Sequence, residues 1–189
     1  MENHKIHIKY MVSLRCIMVV KEELKSLDIL YSSVNLGEVE IPEKISASKR
    51  EALGHNLKKI GLELLDDKKS ILIDKIKNEV IKMIHHSESM PKVNYSDHMS
   101  DKLGYDYTYL SNIFSEVQGI TIQQFIIFNK IEKVKELLLY NELNLTEISY
   151  QLDYSSVSHL SNQFKKVTGL TPSFFKQMRE LRKNNLLKV

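Results

Sequence analysis

Two stretches fifty residues apart, LSNIFSEVQGIT (110–121) and LSNQFKKVTGLT (160–171), share Leu, Ser, Asn, Phe, Val, Gly and Thr in register. Their apolar residues fall at i, i+4 and i+7: Leu110, Phe114 and Val117, then Leu160, Phe164 and Val167. That spacing makes one buried face of a helix. The opposite face carries the chemistry: Thr108, Ser111, Asn112 and Ser115 in the first copy, and Ser158, His159, Ser161, Asn162 and Lys165 in the second. Asparagine can pair bidentately with the N6 and N7 edge of adenine, whereas serine is a permissive partner. The second copy adds Lys165–Lys166 where the first has Ser115–Glu116. Ammonium groups there suit a phosphate backbone, which positions a protein without specifying sequence. Lys176 and Arg179 extend the same basic set.

The charge balance agrees. Residues 155–189 hold seven basic residues and one acid, Glu180, on a chain whose net charge is only +3. Residues 1–67 hold ten Lys or Arg against eleven Asp or Glu. A basic end on a near-neutral body points to a polyanionic partner.

Other reactive groups form weaker patterns. The lone cysteine, Cys16, excludes an internal disulfide and fits a reducing compartment. His85, His86 and His98 cluster in sequence, but adjacent histidines point apart on a helix, and imidazolium is favourable at a helix C-terminus. No metal or cofactor is expected. Neither a Gly-rich phosphate loop nor a nucleophile elbow is present, so no catalytic residue is assigned and no enzyme is expected. No run of about 18 apolar residues exists to span a membrane. MVSLRCIMVV, interrupted by Arg15, makes a poor secretion signal, and a cytoplasmic location is expected.

The elements that must position these residues differ between the two ends. KIHIKYMV alternates, placing Ile6, Ile8, Tyr10 and Val12 on one face of a strand. A helix over 16–27 follows, then ILYSSVNL and EVEI as two strands joined at Gly37. A helix over 47–60 with Leu53, Leu57 and Ile60 on one stripe leads to LELL. The order strand, helix, strand, strand, helix, strand is the split arrangement of a ferredoxin-like sandwich. From Asp66 onward helices dominate, in keeping with six Gly and three Pro in 189 residues. Ile73, Ile76, Val80 and Ile84 mark one face of the first. Thr121 with Gln124 reads as a capping box, Thr146 as a cap for a short helix beginning at Glu147, and Thr171-Pro172 as a helix start. Gly119 and Gly169 mark helix ends. The fold class is therefore α+β: a ferredoxin-like βαββαβ domain over 1–67, followed by an all-α domain over 68–189.

Each repeated helix is preceded by a shorter one, around 99–103 and 148–152, and by a turn, Gly104-Tyr105-Asp106 or Asp153-Tyr154-Ser155. A short helix, a tight turn and an amphipathic helix make a helix-turn-helix. The second turn is one residue longer. A helix from about Thr121 to Tyr140, at 1.5 Å per residue about 30 Å long, joins the two units. That is close to one turn of B-DNA, about 34–36 Å.

On these residues the chain resembles the AraC/XylS family of bacterial transcription regulators from about Leu72 to Met178. ISYQLDYSSVSHLSNQFKKVTGLTPSFFK and NKIEKVKELLLYNELNLTEI carry the resemblance. It implies a double helix-turn-helix domain whose recognition helices, about 106–118 and 156–168, enter successive major grooves of double-stranded DNA. The family's base-reading positions fall on Thr108, Ser111 and Asn112, then Ser158, Ser161 and Asn162. The chain departs from the family's pattern at Ser149, usually alanine, at Asp153, usually glycine, at Leu160, often aromatic, and in lacking a basic pair after Phe114. The first 67 residues resemble heavy-metal-associated domains, whose Cys-x-x-Cys motif corresponds here to Ser13-Leu14-Arg15-Cys16-Ile17-Met18-Val19. Val19 stands at the second cysteine, leaving Cys16 a candidate ligand without its thiolate partner. Three expectations stay open for the N-terminal domain: it senses an unknown effector, pairs two copies as a homodimer, or only stabilises the chain. The competing expectation is a metal-handling or protein-interaction adaptor whose helical half no longer binds DNA.

Overall fold

The computed structural model describes residues 4–85, 94–140 and 143–178. Its elements run β1 (His4–Lys9), α1 (Leu14–Ser26), β2 (Ser33–Asn35), β3 (Glu38–Ile41), α2 (Ala47–Lys59), β4 (Glu63–Leu64) and α3 (Asp67–His85). Next come α4 (Tyr95–Leu103), α5 (Tyr107–Gln118), α6 (Ile122–Tyr140), α7 (Leu145–Gln151) and α8 (Val157–Thr168). Residues 172–178 are helical again. The chain forms two compact units: Met1–Lys77 with Tyr95–Ile122, and Asn78–Asn94 with Gln123–Val189. The division passes through α3 and the start of α6.

In the first unit the four strands form an antiparallel sheet ordered β2-β3-β1-β4, with Ile6 opposite Val39 and Ile8 opposite Leu64. One face, with Val20 and Leu24 of α1 and Leu53 and Leu57 of α2, belongs to a continuous apolar core. The expected alternation ends early. β1 stops at Lys9 because Tyr10 has φ 68°, and that left-handed residue shifts the inward position to Met11. Met11 is buried, while Tyr10 and Val12, expected inside, are 45% and 76% exposed. Ile60 likewise lies outside the core, because α2 ends at Lys59 and Ile60 is its cap.

The sheet's other face is covered too, which the alternation does not reveal. His7 and Lys9, on the face expected to be wet, are buried. Asp74 and Lys77 of α3 reach His7 and Glu38, and Glu116 of α5 reaches Lys9. Ion pairs from α3 and α5 thus take part in closing this second face.

In the second unit Val80 and Ile84 of α3, Ile131 and Val134 of α6, Ile148 of α7 and Leu160 and Phe164 of α8 are buried. The short helix α7 begins at Leu145, not Glu147, and its cap is Asn144 rather than Thr146. The Asn144 side chain accepts from the amides of Thr146 and Glu147, while Glu147 accepts from the Asn144 amide, a complete capping box. Phe175 packs edge-on against Phe164 at 5.6 Å, and Thr171 accepts from the Phe174 amide where the last helical stretch starts. Among the described residues no helix is long and apolar enough to cross a membrane.

Candidate nucleic-acid interface

The first helix-turn-helix consists of α4, the turn 104–106 and α5. Gly104, at φ 73°, lets its amide close α4 on the Ser100 carbonyl at 2.8 Å. Two residues on, the Asp106 carboxylate accepts from the Thr108 amide at 2.8 Å and the Tyr109 amide at 3.4 Å, fixing the start of α5. Leu110, Ile113, Phe114 and Val117 are buried, and Gly119 ends the helix at φ 68°. Because the inward face is so fixed, Thr108 and Asn112 are exposed and Ser111 half-exposed on the other side. Ser115 differs from its expected free outward position: its hydroxyl donates back to the Ser111 carbonyl at 2.7 Å. Tyr105 and Tyr109 stack at 5.6 Å beside this face.

The second helix-turn-helix consists of α7, the turn 152–156 and α8. Asp153 takes the left-handed conformation, φ 52°, where Gly104 stands in the first unit. Its amide donates to the Tyr150 carbonyl, and the Tyr154 amide donates to the Ser149 carbonyl at 2.8 Å. Ser149 is buried, with its hydroxyl satisfied by the Thr146 carbonyl at 2.7 Å, so a polar residue stands where alanine is usual without an orphaned group. Ser156 caps α8 by accepting from the His159 amide. Ser158 and Asn162 are exposed, Ser161 is half-exposed, and Leu160 and Phe164 are buried. Val167, expected inside, is only half-buried. Lys165 and Lys166 stand exposed in the last turn, where cations also complement the helix dipole. Lys176 is half-buried on the stretch that follows, and Arg179 lies outside the described residues.

Beneath the second turn, Lys130 of α6 is buried with its ammonium 4.9 Å from the centre of the Tyr154 ring. Burial pushes this lysine down to about 8, partly opposed by the Asp153 carboxylate. Sequence reading did not single it out, because a lysine on a helix is ordinarily solvated.

The histidine and cysteine candidates have local partners. His85 Nδ1 lies 3.6 Å from Glu136 Oε2, while His86 lies outside the described residues. Cys16 is half-buried against the sheet core, with Ser13 Oγ 3.5 Å from its sulfur, a contact that lowers the thiol's pKa. The metal-sized donor cluster among the described residues lies elsewhere, at His7, Glu38 and Asp74. His7 Nε2 is 3.4 Å from a carboxylate oxygen of each acid. Glu38, however, already holds Lys77 Nζ at 2.5 Å and Lys5 Nζ at 3.0 Å. The neighbouring His7 imidazole, then Lys77 and Lys5, hold its carboxyl far below the usual carboxylate range. Two ammonium groups occupy the electrostatic place of a cation, so the cluster behaves as an ion network that closes the second face of the sheet.

Residues 99–178 match the family model of a helix-turn-helix domain. The chain is 28% identical over 105 residues to the HTH-type transcriptional regulator YtdP of Bacillus subtilis, covering 55% of this chain and 13% of that protein. It is 32% identical over 82 residues to the xylose operon regulatory protein of Escherichia coli, covering 43% of this chain and 21% of that protein. The chain thus spans no more than about a fifth of either relative's length. In fold, it superposes on the DNA-binding domain of AdpA, solved in complex with a target DNA, with a TM-score of 0.51 at 12% identity. The match covers 59% of this chain and 96% of that one. Residues 99–178 of the chain thus carry a helix-turn-helix domain.

Proposed function

We propose that the protein is a sequence-specific transcription regulator that places α5 and α8 in successive major grooves of double-stranded DNA. The observation that carries this reading is the pair of capped helices whose exposed faces each present a short hydroxyl and amide set, with a lysine pair added on the second. Thr108, Ser111 and Asn112, then Ser158, Ser161 and Asn162, read base edges, the two asparagines favouring adenine. Lys165, Lys166, Lys176 and Arg179 hold phosphates. With no arginine on either reading face, direct readout is modest and DNA shape supplies part of the preference. The 19 residues of α6 make a spacer of about 28 Å, of the order of one turn of B-DNA.

Residues 1–67 form a ferredoxin-like domain in this reading, supported by the element order and the β2-β3-β1-β4 sheet. Residues 68–189 form the DNA-binding domain. The N-terminal part senses an effector or pairs two copies, and the protein works in the cytoplasm without catalysing a reaction. Nuclease footprinting of the full chain on DNA from its own upstream region tests the proposal. Two protected segments about one helical turn apart support it. Absence of binding to any duplex overturns it in favour of an adaptor.

A further inference from the structure

The last turn of α5 is held by the N-terminal sheet through three independent contacts, all within the first compact unit. A helix leaves its final carbonyls without intrahelical donors. In α5 the Gly119 amide serves the Ser115 carbonyl at 2.9 Å, and the amide of Tyr10, just past β1, serves the Glu116 carbonyl at 3.1 Å. The neighbouring Val117 carbonyl abuts the β2–β3 turn so closely that a Cβ at Gly37 would lie 2.0 Å from it. Gly37 is itself tied to β1, its carbonyl accepting from the Ile8 amide at 3.1 Å. The third contact is ionic. Lys9 Nζ lies 2.8 Å from Glu116 Oε2 and 3.4 Å from Glu63 Oε1, with the lysine side chain only 11% exposed.

Each contact answers a local cost. An acid in the last turn of a helix opposes the dipole, and beside DNA it repels phosphate. Lys9 neutralises it, and the hydrogen bond to Glu116 raises the pKa of the lysine above its ordinary value. Tyr10 sits at φ 68°, a conformation that a residue with a side chain keeps only when its surroundings hold it there. Gly37 is the residue type that permits both its own φ of 79° and the approach to Val117.

We propose that Lys9, Tyr10 and Gly37 form a clasp that fixes the last turn of α5, making Lys9 a positioning residue for base reading by Thr108, Ser111 and Asn112. The inference rests on α5 being a DNA-reading helix. It explains why this copy of the repeat carries Glu116: the position is used to hold the N-terminal sheet rather than a phosphate. The second copy, with Lys166 at the matching place, has no such duty.

The test compares the full chain with K9E, E116K and the charge-swapped K9E/E116K, using hydrogen exchange on α5 and footprinting on the upstream DNA. K9E sets an acid against both Glu116 and Glu63. It is expected to speed exchange at amides 115–118 about tenfold and to weaken protection of the α5 half-site about tenfold, leaving the α8 half-site in place. E116K opposes two cations and is expected to speed the same amides. The swapped variant is expected to restore slow exchange and both halves of the footprint. Unchanged exchange in K9E overturns the clasp, as does a swapped variant that recovers none of what K9E lost, since only the Glu63 contact then stays unfavourable. Altered exchange with an intact footprint overturns the positioning role. If the parent chain protects no DNA, the regulator reading falls with that role, and exchange alone still decides whether the clasp exists.

Discussion

The two helix-turn-helix units share an inner face and differ in what surrounds it. Leu110 and Phe114 on α5, and Leu160 and Phe164 on α8, are all fully buried, and both helices end on a left-handed glycine. The shared residues of the repeat are thus packing and termination residues together with one outward Ser-Asn pair, Ser111-Asn112 and Ser161-Asn162. The unshared ones follow each helix's neighbours. On α5, Ser115 bonds back to its own helix and Glu116 pairs with Lys9 of the sheet, so the last turn of the first unit is tied to the N-terminal part of the chain. On α8, Lys165 and Lys166 stay exposed, and the unit instead encloses a buried lysine beneath its turn. The repeat therefore keeps its fold and its outward Ser-Asn pair, while the last-turn positions 115–116 and 165–166 take different electrostatic tasks.

The largest test of this contrast is truncation of the matching aromatics. Phe114→Ala and Phe164→Ala should each cost about 3–5 kcal/mol in denaturant unfolding. Hydrogen exchange separates them: the first should also loosen the amides of β1 and β3, which share its compact unit, and the second should not. Equal loosening of the sheet by both would break the contrast.

Next in size, K165A/K166A should weaken binding to every DNA sequence and reduce the slope of log K against log salt by about 2, since each phosphate contact contributes about 0.9. Asn162→Ala should instead relax preference at one base pair with little change in slope. A lysine pair that alters neither affinity nor slope removes the phosphate-anchoring role.

Lys130 yields a pH signature peculiar to the second unit. Its folded pKa, about 8, lies below its ordinary 10.5, so between those values the unfolded chain binds more protons. Stability should therefore rise from pH 8 to pH 10.5, with the full burial penalty present below pH 8. Lys130→Met should raise stability at pH 7 by about 2 kcal/mol, an advantage that fades above pH 10. Thermal melts across that range check the sign, and a variant less stable than the parent at pH 7 would show that the ring contact outweighs the burial cost.

Smaller effects compare the local starts and turns. Asn144→Ala removes a full capping box and Asp106→Ala a simpler cap, each worth about 1 kcal/mol. The smallest is Asp153→Gly, which puts at the second turn what Gly104 supplies at the first. Relief of the left-handed backbone is offset by the lost attraction to Lys130, so denaturation should show a gain of no more than about 0.5 kcal/mol.

How much of this was legible in the sequence depends on the range of the interaction. The repeat, its apolar spacing, Gly119 and Gly169, and the Thr171-Pro172 helix start are local signals, because a helix face and its ends are set within a few residues. The strand-and-helix order of the N-terminal part was legible for the same reason. Errors arose where one torsion or one neighbour overrode the local pattern. Tyr10 adopted a left-handed φ and moved the inward position to Met11, and Asn144 outcompeted Thr146 because Glu147 could reach back to its amide.

The sequence by itself determined two amphipathic helices with a short polar face and one lysine pair, since periodicity and residue chemistry suffice for that. Only the tertiary structure decided which buried polar groups meet. His7, Lys9 and Lys130 each occupy places that local pattern assigns to solvent, and each is buried because a distant element covers it. Lys9 and Glu116 lie on opposite sides of most of the chain, and no spacing rule joins them. Their pairing exists because an exposed helix end with unsatisfied carbonyls and a strand end with a free amide are brought together by the packing of the unit they share.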